Sequence, residues 1–109
     1  MKNELEMLAA LAKAQKRQRD ASNEALAAYH EANTRALKAY AGAHTSSKYV
    51  YERYQENLKL NLEDYQAAIR ASKLHLQTET DIIEQTYGKL LLEERVAQAE
   101  ETKALLSHA

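Results

Sequence analysis

The side chains of this sequence that could perform acid–base or metal chemistry are four histidines and sixteen carboxylates. A carboxylate-bridged di-iron site in a helical bundle needs a Glu three residues before a His on each of two helices. The residues three before the histidines are Ala27, Ala41, Ser72 and Leu105, so this pattern is absent. No two histidines are four residues apart, the spacing that presents two zinc ligands on one helix. We therefore expect no metal and no cofactor within one chain.

A second candidate for chemistry is the hydroxyl cluster Thr45, Ser46 and Ser47 beside His44. A catalytic serine needs a base, and the base needs an acid to orient it, but no acid lies nearby in the sequence. A helix cap in a polar turn explains the same residues more simply. The chain also lacks a glycine-rich loop for phosphates and contains no cysteine. We predict no catalytic residues and expect that the protein is not an enzyme.

A basic cluster of Lys13, Lys16, Arg17 and Arg19 could contact phosphates. Fifteen basic residues against sixteen acidic ones nevertheless argue against a dedicated nucleic-acid binder. The cluster is more simply a solvated helix face. It could also receive the acidic C-terminal region of a neighbouring molecule, which would give a head-to-tail contact. That acidic region contains Glu93, Glu94, Glu100 and Glu101.

The elements that carry these residues are predicted to be helices throughout. The sequence has no proline and two glycines, and Ala, Leu, Glu, Lys, Gln and Arg dominate it. The N-terminal apolar run, residues 7–12, is too short for an ordinary secretory signal, and no apolar segment approaches the length of a membrane span. We expect a soluble all-α protein, of a virion or of the cytoplasm; the composition leaves the compartment open.

One long amphipathic stripe organises the C-terminal half of the chain. Its members recur at steps of three or four residues, averaging roughly 3.5, which is the period that keeps one face of a helix turned toward a neighbouring helix. We therefore predict a protein interface along this stripe. The stripe comprises Tyr51, Tyr54, Leu58, Leu62, Tyr65, Ile69, Ser72, Leu76, Thr80, Ile83, Tyr87 and Leu90.

A second packing surface in the first half is an alanine ridge, which allows two helix axes to approach closely. Alanine removes less apolar area from water than Tyr or Leu, so this surface is weaker per residue. The ridge comprises Ala21, Ala25, Ala28, Ala32, Ala36, Ala39 and Ala43.

The best candidate for a chain reversal lies at residues 42–47, where Gly42 can take a left-handed position and hydroxyls can cap a following helix. We predict one domain over residues 1–109, an extended antiparallel helical hairpin or coiled coil with helices over 3–41 and 48–106. The arms would be unequal, leaving some C-terminal residues unpaired. One continuous helix is the alternative, because the stripe can be followed across the glycine without a change of phase.

Two resemblances bear on function. Tyr40-Ala41-Gly42 at the expected turn resembles the aromatic-x-Gly of small secreted hairpins of the WXG type, with Tyr in place of Trp, and this implies one cognate protein partner. Residues 33–37 (NTRAL) and 63–68 (EDYQAA) resemble in composition the internal or ejection proteins of tailed-phage virions, which implies a component of a phage particle.

Tyr49, Val50 and Leu60 lie off the main stripe, and two helices cannot cover more than about half of each other's circumference. We therefore expect at least one further helix from another chain. The sequence favours a non-enzymatic structural protein that packs against copies of itself or against a larger assembly. The alternative is a secreted or chaperone-like hairpin that binds one partner.

Overall fold

The computed structural model of the chain describes residues 2–43 and 47–108. Two helices account for nearly all of them: α1 covers Lys2–Ala41 and α2 covers Lys48–Ser107. Each bound lies within one residue of that expected from the sequence. The helices are long because helix-forming residues dominate and proline is absent, so the described part of the chain has few places where helical hydrogen bonding would stop.

The two helices form an antiparallel hairpin, and the alternative of one continuous helix is wrong. Side-chain contacts between the helices show that they are antiparallel, because the contacting residues of α1 fall in number as those of α2 rise. Three contacts show this order: the Tyr40 and Tyr54 rings at 4.8 Å between centroids, Asn33 and Asn61 at 3.2 Å, and the Tyr29 and Tyr65 rings at 5.1 Å.

Contacts along the chain divide it into two compact units, where the sequence led us to expect one domain. One unit is Arg17–His75, which contains the end of α1 and the start of α2. The other combines Met1–Lys16 with Leu76–Ala109. Within this second unit the Asn3 side-chain amide donates a hydrogen bond of 2.7 Å to Glu94. All described residues after Glu94 are exposed, so α2 continues beyond its last contact with α1.

The ends of the helices next to the turn differ in part from expectation. Gly42 does not take the left-handed conformation, since no described glycine has a positive φ. Its N–H instead donates to the Lys38 carbonyl at 2.9 Å, which continues the helical hydrogen bonding by one residue. At the start of α2, the Ser47 hydroxyl accepts a hydrogen bond from the Val50 N–H at 3.3 Å, as expected of an N-cap. His44, Thr45 and Ser46 lie outside the described residues.

The covered residues of α2 repeat every eleven residues. Apart from Glu79, they advance by steps of four, four and three, which corresponds to about 3.67 residues per turn rather than the 3.5 of a heptad coiled coil. We call these positions, with their counterparts in α1, the seam. The half-buried residues of α2 are Val50, Tyr54, Leu58, Asn61, Tyr65, Ile69, Ser72, Leu76, Glu79, Thr80, Ile83, Tyr87, Leu91 and Glu94.

The covered residues of α1 follow the same rule. Apart from Ala10 and Ala32, they also advance by fours and threes in the same order, so both helices keep their seams facing each other with one period. Because the two periods match, facing positions can stay in step within each unit. The buried or half-buried residues of α1 are Asn3, Met7, Ala10, Leu11, Ala14, Gln18, Ser22, Ala25, Tyr29, Ala32, Asn33 and Ala36.

Gly88 offers a direct test of the helical continuity of α2. A Cβ added there would meet no atom within 4 Å, and its φ is not positive. We expect Gly88→Ala to raise the free energy of unfolding by about 0.5–1 kcal/mol, because alanine loses less backbone entropy in a helix. Thermal melting followed by circular dichroism measures the effect.

Gly42→Ala is the matched control, since a Cβ there would lie 3.2 Å from the Lys38 carbonyl oxygen. We expect a smaller gain than at Gly88, or a loss. A decrease in the melting temperature for Gly88→Ala would show that α2 is not a regular helix at this point.

Candidate functional site, a protein-interaction surface

Most residues of the predicted interface stripe lie in the seam between the two helices. They are half-buried rather than buried, because each is covered by one facing helix and open to solvent on its flanks. The predicted residues that the structure places in the seam are Tyr54, Leu58, Tyr65, Ile69, Ser72, Leu76, Thr80, Ile83 and Tyr87.

Tyr51, Leu62 and Leu90 lie outside the seam, with 50%, 41% and 37% of their surface exposed. The reason is the period. A step of eleven residues from Val50 brings the seam to Asn61, and the step of four from Tyr87 ends at Leu91. The exposed leucines are each one residue from a seam position, so they line its edge.

Stacked tyrosines form the largest contacts in the unit Arg17–His75. The Tyr29 and Tyr65 rings stack at 28° and those of Tyr40 and Tyr54 at 21°, while Tyr51 meets the edge of Tyr40 at 6.1 Å. Such pairs add to area burial, and the hydroxyls can still reach water from a half-buried position. Tyrosine therefore suits a seam that one helix covers incompletely.

A polar pair interrupts this seam between the two tyrosine stacks. The Asn61 amide donates a hydrogen bond of 3.2 Å to the Asn33 side-chain oxygen, across the two helices. Sequence reasoning missed both residues because it followed apolar side chains; the signal would have been their position in the eleven-residue period. A polar pair of this kind aligns helices at a cost in stability.

The hairpin leaves much of its apolar surface in contact with solvent. Among the described residues, the hydrophobic ones that are buried are Ala14 and Ala36. Large apolar side chains such as Leu37, Tyr49 and Leu74 are 52%, 69% and 69% exposed. This surface is available to another protein.

One side of the unit Arg17–His75 carries a groove between the helices. Three neighbouring cavities share lining residues and so form one depression that follows α1 from Ala25 and ends at Ala43, just after the helix. We call this side the groove face. Its first wall includes Ala25, Ala28, Ala32, Arg35, Ala36, Ala39 and Ala43, and its α2 wall includes Tyr49, Val50, Arg53, Asn57, Asn61, Asp64 and Ala68.

Two opposite charges lie eleven residues apart on the α2 wall of this groove. Arg53 lines it near the turn and Asp64 farther along, and both are exposed. Within the described residues neither takes part in a hydrogen bond or an ion pair. On the first wall, Arg35 pairs with Glu31 at 3.2 Å. Arg53 and Asp64 thus keep donors and acceptors for a partner.

The C-terminal part of α2 presents a second accessible surface, in the other unit. Arg95, Ala99, Lys103 and other residues line a shallow depression along one side of this single helix. Leu105 and Leu106 are among the most exposed large apolar side chains of the chain. The sequence predicted that some C-terminal residues would extend beyond the shorter arm; in the structure the described residues after Glu94 are exposed, and α2 stays helical to Ser107.

The predicted basic cluster is accessible but belongs to both units. Lys13 and Lys16 lie in one and Arg17 and Arg19 in the other, and all four are exposed. Lys16 and Arg17 already have interaction partners within the chain. Binding of phosphates or of an acidic partner here stays a prediction.

A search of residues 2–43 and 47–108 finds no group of His, Asp or Glu side chains that could hold a metal ion. In the same residues no helix combines the length and apolarity needed to cross a membrane. Comparison with protein-family models, curated proteins and solved structures gives no match in any of the three.

Substitutions at Ile69 and Leu74 distinguish the seam from the exposed side of α2. We expect Ile69→Ala to lower the free energy of unfolding by about 2 kcal/mol, because the half-buried side chain would leave a cavity between the helices. Leu74, 69% exposed, is the control, and its replacement by Ala should cost less than about 0.5 kcal/mol. Urea unfolding measures both. Equal losses for the two variants would contradict the assignment of the seam.

The Asn33–Asn61 pair makes a different prediction. We expect Asn33→Leu with Asn61→Leu to raise the melting temperature, because two apolar side chains replace a polar pair that limits seam stability. The single variant Asn61→Leu should lower it, since one half-buried amide loses its partner at a cost of about 1 kcal/mol. Calorimetry of the three proteins measures the effects, and a double variant less stable than both the parent and the single variant would oppose this role.

Proposed function

We propose that the protein is a non-enzymatic assembly component whose helical hairpin packs against other helices of a multi-subunit complex. The observation that carries this proposal is the apolar surface that the hairpin leaves uncovered. Tyr49, which lines the groove face, and Leu60 are 69% and 46% exposed. Exposed apolar groups concentrated beside a groove are typical of surfaces that other proteins cover.

The rigidity of the two helices also supports this role. A preformed surface loses little conformational entropy when a partner binds, so even modest contacts can contribute to affinity. The seam fixes which residues point outward, because an eleven-residue period repeats the same outward positions along each helix. A hairpin of this kind presents a regular surface that copies of one chain can recognise.

The most concrete form of the proposal is a structural component of a particle, such as a phage virion, as the composition of the sequence suggests. The alternative is a small secreted or chaperone-like hairpin with one cognate partner. The exposed C-terminal part of α2 favours this alternative to some degree, because Leu105 and Leu106 could bind along a partner helix.

Light scattering after gel filtration, over a hundredfold range of concentration, tests self-assembly. We expect a mass of at least twice 12.4 kDa and helical circular dichroism in the same samples. A helical monomer at every concentration would contradict self-assembly. A weakly helical monomer that gains helix only with a second protein would favour the alternative.

A further inference from the structure

We infer that the groove face binds a second copy of this chain in an antiparallel two-fold dimer, with Arg53 of each copy paired with Asp64 of the other. The inference deepens the proposed function, on which it depends, by naming the partner and its register. It uses residues of the unit Arg17–His75.

The first step is that side chains on the groove face recur in the same orientation, once near the turn and once eleven residues farther along the helix. Because the period is eleven residues, positions that far apart point in the same direction from their helix. The face therefore offers two similar sets of residues, one set nearer the turn. The pairs eleven residues apart are Ala28 and Ala39, Arg53 and Asp64, and Asn57 and Ala68.

The second step is that one axis relates both helices at once. Asn33 lies opposite Asn61, and the two stacked tyrosine pairs have the same register. In this register the midpoint between residues 35 and 36 of α1 lies at the same height along the hairpin as the midpoint between residues 58 and 59 of α2. A two-fold axis in the plane of the face at this level places α1 against α1 and α2 against α2, each pair antiparallel. The axis thus brings Ala32 opposite Ala39 of the second copy.

The same axis decides the pairing of the charges. It places Arg53 of one copy at the level of Asp64 of the other, and by symmetry it does so twice. A two-fold axis parallel to the helices would instead place α2 against α1 of the other copy, so Arg53 and Asp64 would not meet. Of these two arrangements, the antiparallel one pairs the two opposite charges.

Contacts beside the charges agree with this register. Tyr49 comes to the level of Ala68 of the second copy, where a small side chain leaves room for the ring. Alanines along α1 let the two α1 helices approach closely. Arg35 lies next to the axis, but its charge is already paired with Glu31 at 3.2 Å, so two ion pairs rather than two bare cations meet there.

The area available is sufficient for a specific dimer. The groove follows α2 from Tyr49 to Ala68, about 28 Å at 1.5 Å per residue, and the face is two helices wide, each about 10 Å across. This corresponds to about 500 Å² on each copy, or about 1,000 Å² in total. Specific interfaces begin near that size.

Charge reversal tests the pairing. We expect Arg53→Asp and Asp64→Arg each to raise the dimer dissociation constant at least tenfold, because each change creates two like-charge contacts. The double variant, R53D with D64R, should return to within about threefold of the parent, since the two pairs re-form with exchanged partners. Sedimentation equilibrium measures the constants, and circular dichroism checks the helix content of each sample.

Matched controls separate local pairing from net charge. Lys59→Asp and Glu63→Arg make the same changes in charge at exposed positions of α2 that line none of the groove's cavities, and each should change the constant less than threefold. Single variants at Arg53 and Asp64 that dimerise like the parent would overturn the inference. So would a double variant weaker than both single variants.

Disulfide cross-linking provides a second test that does not depend on charge. The sequence has no cysteine, so Ala32→Cys and Ala39→Cys introduce single thiols. A mixture of the two variants should cross-link at least fivefold faster than either alone. Residue 32 of one copy faces residue 39 of the other, whereas identical residues of the two copies lie about 10 Å apart along the helix. Equal rates would refute the antiparallel register.

The two proposals can fail separately. A parent protein that stays monomeric at all concentrations contradicts self-assembly and the dimer together. An oligomer that persists in R53D and D64R, with no preference for the mixed disulfide, leaves the assembly function standing and rejects this interface.

Discussion

Each helix of this hairpin can bury only the side chains that face the other helix, and this limit governs the rest of the structure. Seam residues as large as Tyr65 and Ile69 stay half-buried, and the hydrophobic side chains with the least exposure are alanines at close contacts. Stabilisation therefore has to come from many incomplete contacts along the helices rather than from a dense core. Tyrosine fits that requirement, since its ring packs while its hydroxyl stays hydrated.

The helical class, the reversal and the helix bounds could be predicted because they depend on local properties. Helix propensity and the absence of proline act within a few residues, and Ser47 was recognisable as a cap. The conformation of Gly42 could not be predicted in the same way. Glycine permits the left-handed position without requiring it, and here a further helical hydrogen bond to Lys38 satisfies its N–H.

The seam was predicted less accurately, for a reason that particular residues make clear. A stripe of apolar residues with a period of 3.5 includes Leu62, whereas a period of about 3.67 residues per turn places Asn61 against α1. The polar residue faces inward because Asn33 provides a partner across the seam. A sequence does not show such a pairing until the register of the two helices is known.

The repeat that builds the seam also shapes the outer surface, and this links folding to assembly. When a helix repeats every eleven residues, each outward position recurs at the same orientation, so a two-fold axis between repeats is a natural way for two copies to meet. Identical charges at such recurring positions would repel each other across this axis. Arg53 and Asp64 differ in sign, so the antiparallel approach pairs each charge with an opposite one, which a parallel approach does not do.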